Sequence, residues 1–266
     1  MKSRRIWTVG MVNYKSAVYL PYQLEGFYRY NKNFRFIIVD NSPTPQTELA
    51  SLQKRYPIEI IYNNKGGERT GGDGHGLGLN MILARATSPY LLVQDPDFFW
   101  VKKGILEYLQ RFLDDGNVAV GSQRLIGKGK NLLTVGARRR VIGISPEDLF
   151  PTPWGCAYRR SFLRDVDFLQ HQTNEVGCKI RAKLANMPWV SFPLRNEPAK
   201  FGDHSFTVRI ASCVYNGQRL AAHLFRGCFD GPAGEPTPAT VPESWVKNRK
   251  KYAAHYLREL RISPGL

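Results

Sequence analysis

The sequence predicts an α/β fold with a mostly parallel central sheet flanked by helices. Two observations carry this. Strand-like and helix-like segments alternate through about the first 120 residues. Acidic residues stand where apolar strands end, and ligands of such sheets sit beyond the carboxyl ends of the strands.

IWTVGMV (6–12) is the first strand, and AVYLPYQLEGFYRY (17–30) has helical spacing. Ser16 reads as the cap of this helix and Pro21 falls in its first turn, where a missing amide has no intrahelical partner to lose. FRFIIVD (34–40) is the second strand. Thr44 and Pro45 suit a cap and first-turn proline for a helix over Gln46 to Arg55, and IEIIY (58–62) is the third strand. NNKGGERTGGDGHGLG (63–78) holds seven glycines in sixteen residues and predicts a loop, because such a run loses much entropy on ordering. LGLNMILARA (77–86) is helical, YLLVQD (90–95) a strand and GILEYLQRFLDD (104–115) a helix.

The second half is less regular. NVAVGSQ (117–123) reads as a strand, followed by a basic segment from Arg124 to Arg140 with six Lys and Arg and no acid. WGCAYRRSFL (154–163) opens a new ordered piece, NEVGCKIRAKLAN (174–186) is a helix and WVSFPL (189–194) a strand. The proline-rich GPAGEPTPATVPES is a linker or surface wrap, and a basic helix over Trp245 to Leu260 closes the sequence.

With 42% hydrophobic and 23% charged residues and no low-complexity tract, the composition is that of an ordinary globule and excludes a largely disordered chain. No run approaches the roughly 20 apolar residues that span a bilayer, so a cytoplasmic location is the default expectation. The four cysteines form no C-x-x-C pair and read as reduced thiols. A formal charge of +16 favours anionic partners: a phosphorylated small molecule, an anionic lipid surface or nucleic acid.

The chemistry concentrates in LLVQDPDFFW (91–100). Asp95 and Asp97 flank the stiff Pro96 at the open end of a strand, where two carboxylates repel unless a cation compensates. Mg²⁺ and Mn²⁺ do this well, since they prefer oxygen ligands and bridge carboxylates to substrate phosphates. The structural alternative is a solvated turn capping the helix near Gly104. The apolar YLLV before it and FFW after it weigh against free charges there.

Val12, Asn13 and Tyr14 after the first strand, Val39, Asp40, Asn41 and Ser42 at the end of the second, GHGLGLN opening the next helix, and VQDPD follow one another in order. Together they resemble the nucleotide-sugar domain of the family 2 glycosyltransferases, which have the GT-A fold. The resemblance covers about residues 6 to 100 and continues more faintly to about 200. Ile82 departs from it, standing where the family has a glycine two places after Asn80.

The resemblance implies a single GT-A-like unit with a nucleotide-sugar-binding half (1–122), a smaller mixed acceptor-side half (123–230) and the terminal segment 231–266. It places Val12, Tyr14 and Asn80 around the nucleotide, with Asp40 accepting hydrogen bonds from a uracil or thymine ring. Asp95 lies near the ribose or the metal, and Asp97 ligates Mn²⁺ or Mg²⁺ directly. Lys65, Arg69 and Arg226 offer phosphate contacts, and His223 completes the metal shell. The general base is Glu175, with Asp165 and Asp167 as rivals; Asn174 stands where the family has an acid. Trp154 offers either an acceptor platform or a core residue, and His75 reads as an ordinary helix-start histidine.

The function implied is an inverting, metal-dependent glycosyltransferase using a UDP- or dTDP-sugar and a hydroxyl-bearing acceptor: a saccharide, a lipid-linked molecule or a small molecule. The basic terminal helix fits an anionic membrane surface or its own domain equally. Two alternatives stay open: transfer to hydroxymethylated bases in DNA, and a non-catalytic nucleic-acid-binding protein on a GT-A scaffold.

Overall fold

The computed structural model describes residues 6–63, 72–123, 150–169, 180, 183–200 and 207–223. Its strands are β1 (Trp7–Asn13), β2 (Phe34–Asp40), β3 (Ile58–Tyr62), β4 (Tyr90–Gln94), β5 (Phe98–Trp100), β6 (Ala119–Gln123), β7 (Pro151–Arg159), β8 (Trp189–Phe192), β9 (Leu194–Lys200), β10 (Thr207–Tyr215) and β11 (Gln218–His223). The helices are α1 (Leu20–Tyr30), α2 (Thr47–Arg55), α3 (Gly72–Arg85) and α4 (Ile105–Asp114).

Seven strands form the main sheet in the order β3-β2-β1-β4-β7-β6-β8. The first four are mutually parallel, and β8 is parallel to β6. β7 runs antiparallel to both of its neighbours. The four-residue pattern Phe36 to Val39 shows why a continuous apolar run is needed here. Successive side chains point to opposite faces, so Phe36 and Ile38 join one buried cluster while Ile37 and Val39 join the other. β4 divides the same way, Leu92 to one cluster and Leu91 and Val93 to the other.

A second, antiparallel sheet has the order β5-β11-β10-β9. The sequence expectations hold no strand over β10 or β11, and β5, three residues long, carries no alternation to detect. Cys156 and Cys213 are free and buried, as expected of reduced thiols. Among the described residues, no helix is long and apolar enough to cross a membrane.

Three local expectations are corrected. The helix expected over 17–30 opens as a 3-10 turn (Ala17–Tyr19), and the Ser16 hydroxyl donates to the Tyr14 carbonyl instead of capping it. Gln46 is the N-cap residue of α2, so Thr44 and Pro45 precede that helix. α3 begins at Gly72, inside the run expected to be a loop. Packing overrides propensity there: a Cβ on Gly76 would lie 2.5 Å from the Phe168 carbonyl oxygen, and one on Gly78 would lie 2.7 Å from Val12 Cγ2. The segment 124–140, most of the helix expected over 174–186, the proline-rich stretch and the terminal helix lie outside the described residues.

Candidate active site

From β1 the chain winds outward through β2 and β3, then α3 carries it back across to β4 on the other side of β1. The strand order therefore reverses between β1 and β4, and a crevice opens beyond their carboxyl ends. Asn13, Asp40 and the Asp95-Pro96-Asp97 turn all stand at that edge, since β1 ends at Asn13, β2 at Asp40 and β4 at Gln94.

The turn is tied down on several sides. The Asp95 amide donates to the Trp154 carbonyl (2.8 Å), and the Phe98 amide closes the turn on the Asp95 carbonyl (3.1 Å). The chain then enters β5, which pairs with β11 in the register His223 opposite Phe98. This register brings a histidine from late in the sequence next to Asp97. His223 Nε2 lies 3.2 Å from Asp97 Oδ1 and 3.9 Å from Asp95 Oδ2. One ligand atom from each of Asp95, Asp97 and His223 falls within 4.8 Å of the others. The rings of Phe98 and Trp154 pack beside the imidazole, with centroids 5.6 and 5.5 Å away.

Burial makes these charges costly. Desolvation and then the charge of Asp97 push the Asp95 carboxyl up to about 8, with His223 opposing. For His223, burial disfavours the imidazolium, but the charge and hydrogen bond of Asp97, and the charge of Asp95, outweigh it and raise its pKa. His75, at the start of α3, has Nε2 3.5 Å from Asp95 Oδ1, and burial lowers it to about 4 despite the charge of Asp97. Two carboxylates and an imidazole converging in a buried corner, with Asp95 Oδ1 lacking a hydrogen-bond donor, fit a divalent cation.

Asp40 is almost fully buried, and its two oxygens differ sharply. Oδ1 accepts from Asn13 Nδ2 (2.9 Å), the Ser42 amide (3.1 Å) and the Ser42 hydroxyl (2.7 Å). Oδ2 has no donor. Asn41 ties this strand end to the start of α3, its Nδ2 donating to the Gly74 carbonyl (2.8 Å) while its Oδ1 accepts from Asn63 Nδ2 (2.8 Å). The glycine-rich helix start is thus fastened to the same edge as Asp40.

The structure brings Asp40, Asp95, Asp97 and His223 to one edge, with Val12 buried and Tyr14 half-buried where β1 leaves the sheet. Asn80 lies a turn along α3 from His75; its Nδ2 donates to Asp167 Oδ1, and its Oδ1 accepts from the Phe168 amide (2.9 Å). Asp165 is exposed and lines a cavity of about 540 Å³ with Tyr90 and Arg159, at the opposite end of β4 from Asp95. Trp154 packs against the core cluster of β1 and β2. Glu175, Lys65, Arg69 and Arg226 lie outside the described residues. Asn13 and Asn41 stand in the strand-end motifs without an assigned role, whereas nothing in the sequence signals Gln23 or the closeness of His75 to Asp95. Their partners are up to 73 residues away, and no short motif announces such contacts.

A parallel sheet that reverses its order beside half-buried Asp95, buried Asp97 and a buried histidine places the protein in the GT-A fold class. The chain belongs to glycosyl transferase family 2, whose profile matches residues 8–171. Among solved structures, residues 1–349 of S. aureus TarS are similar at 19% identity and a TM-score of 0.51, covering 69% of this chain and 57% of that one. The Pyrobaculum calidifontis mannosyltransferase PcManGT, in complex with GDP-Man and Mn²⁺, is similar at 18% identity and a TM-score of 0.50, covering 72% and 56%. A longer S. aureus TarS structure has 20% identity and a TM-score of 0.50, and this chain spans 34% of it. No curated protein matches the chain in overall sequence.

Proposed function

We propose that the protein is an inverting glycosyltransferase that moves a sugar from a UDP- or dTDP-sugar to an acceptor hydroxyl in a divalent-metal-dependent reaction. The observation that carries this reading is the cluster of half-buried Asp95 with buried Asp97 and His223, at the edge where Asp40 keeps one carboxylate oxygen without a donor among the described residues. That oxygen suits the imide N–H of uracil or thymine, while Asn13 and Ser42 hold the other. Asp95, Asp97 and His223 would hold Mn²⁺ or Mg²⁺, which when bound neutralises charge on the departing diphosphate.

Transfer requires the acceptor oxygen to lose a proton as it bonds to the anomeric carbon from the face opposite the leaving diphosphate, which inverts that carbon. Glu175 is our candidate for the base. Two observations favour it over its rivals. Asp165 stands about five strand residues, on the order of 15 Å, from the acid pair. Asp167 Oδ1 already accepts from Asn80 and from the Leu169 amide (2.9 Å). Lys65, Arg69 and Arg226 remain candidates for the phosphates, and saccharides, lipid-linked molecules and small molecules for the acceptor.

The test is thermal stability across nucleoside diphosphates and their sugars, with and without Mn²⁺. UDP or dTDP with Mn²⁺ should raise Tm in the native protein and not in Asp97→Ala. A flat response to every nucleotide would remove the donor and the reading with it.

A further inference from the structure

We propose that Gln23 is a positioning residue for the metal site: it orients the peptide planes of the Asp95-Pro96-Asp97 turn and so sets the affinity for the divalent ion. The inference rests on the metal-dependent reading above.

α1 buries Leu20, Gln23, Leu24 and Phe27, a stripe at helical spacing in which the glutamine is the one polar member. It is 4% exposed. Its Nε2 donates to two successive carbonyls of the turn, Asp95 (3.1 Å) and Pro96 (2.7 Å), and its Oε1 accepts from Gln94 Nε2. Two N–H groups on one nitrogen thus reach the two peptide planes that separate the carboxylate-bearing residues. Rotation of either plane would swing Asp95 and Asp97 relative to one another.

The Phe98 amide shares the Asp95 carbonyl with Gln23, and among the described residues the Pro96 carbonyl is held by Gln23. Trp154 holds the amide of Asp95, and the pairing of β5 with β11 holds the chain from Phe98 onward. Pro96 has no N–H to add a bond of its own. A carbonyl turned into the core needs a donor, and an amide side chain supplies two donors and an acceptor where a carboxylate or a thioether of similar length cannot. Outer partners that orient metal-binding groups are worth about 10- to 100-fold in metal affinity or activity.

The experiment uses the full chain, with Mn²⁺ titrated in the presence of UDP and free Mn²⁺ read by electron paramagnetic resonance. Gln23→Met keeps the length and apolar stem but donates nothing; it should weaken Mn²⁺ binding by roughly 10-fold or more. Turnover should recover at saturating Mn²⁺, which a general loss of folding would not allow. Gln23→Asn is a second variant should Gln23→Met not fold: its amide is one methylene too short for both carbonyls, and the same direction is expected. Asn31→Ala controls for stability, because Asn31 is a buried polar residue whose Oδ1 accepts from the Leu106 amide (3.1 Å), away from the turn. It should lower Tm and leave Mn²⁺ affinity as in the native protein.

Native affinity in both Gln23 variants overturns the inference, and so does an equal loss in Asn31→Ala. A native protein that binds no Mn²⁺ with UDP refutes the metal reading itself, a result distinct from either.

Discussion

His223 Nε2 stands 3.2 Å from Asp97 Oδ1 although 126 residues separate them. The contact follows from register: β11 lies against β5, and β5 begins one residue after Asp97. Losing either side chain should disable the cation site. Asp97→Ala is expected to abolish Mn²⁺-dependent stabilisation by UDP, and His223→Ala to lower turnover by roughly 100-fold or more. Metal titrations of both variants check this. Unchanged Mn²⁺ affinity in His223→Ala would remove the histidine from the metal shell.

The same cluster predicts how stability responds to pH. Asp95 is raised from 3.8 to about 8, and His223 is raised too. A raised folded-state pKa means that the fold prefers the protonated group, so the stabilisation is complete below the unfolded pKa and is lost as pH rises through the folded one. The lowered pKa of His75 acts the other way, adding stability as pH rises from about 4 to 6.5 and offsetting the loss at Asp95 there, so metal-free protein should lose Tm chiefly above about pH 6.5 and through about pH 8. Bound cation prefers ionised Asp95 and neutral His223, so Mn²⁺ with UDP should flatten or reverse the slope. Asp95→Asn should flatten the metal-free profile. If that variant tracks the native profile across the whole window, the slope has another origin.

Asp40 offers a test of base recognition. Asp40→Asn can keep its oxygen toward Asn13 and Ser42 while presenting an amide N–H₂ where Oδ2 has no donor. Replacing an acceptor with a donor should cost UDP roughly 10- to 100-fold in affinity, the range for a hydrogen bond to a charged group. CDP should lose less, because cytosine presents an acceptor at the ring position where uracil has its N–H. Calorimetry with both nucleotides in Mn²⁺ decides it; equal losses would place the base elsewhere.

How far the sequence revealed this arrangement depends on the range of each interaction. β2 and β3 coincide with FRFIIVD and IEIIY because a doubly covered strand must be apolar along its whole length, a local requirement. Asp40, Asp95 and Asp97 were visible because strand ends and short spacing are local as well. Gln23 was not, since its partners Asp95 and Pro96 lie 72 and 73 residues away and a glutamine in a helix carries no signal of its own. β5 escaped for a related reason: three residues become a strand only through β11, more than a hundred residues later. The start of α3 departs from the sequence expectation because its glycines permit close approach instead of flexibility.

That last point predicts a change of sign. In a helix interior, replacing glycine by alanine ordinarily stabilises by roughly 0.5–1 kcal/mol. Gly26 of α1 has nothing within 4 Å of an added Cβ, so Gly26→Ala should follow this rule. Gly76 of α3 faces the Phe168 carbonyl oxygen at 2.5 Å, and a backbone atom cannot swing aside as a flexible side chain can. Gly76→Ala should therefore destabilise by about 1–3 kcal/mol, the usual range for overpacking. Urea midpoints of the two variants measure both effects. If Gly76→Ala proves as stabilising as Gly26→Ala, the glycine is not what lets α3 lie against the segment after β7, and His75 owes its place beside Asp95 to something other than that contact.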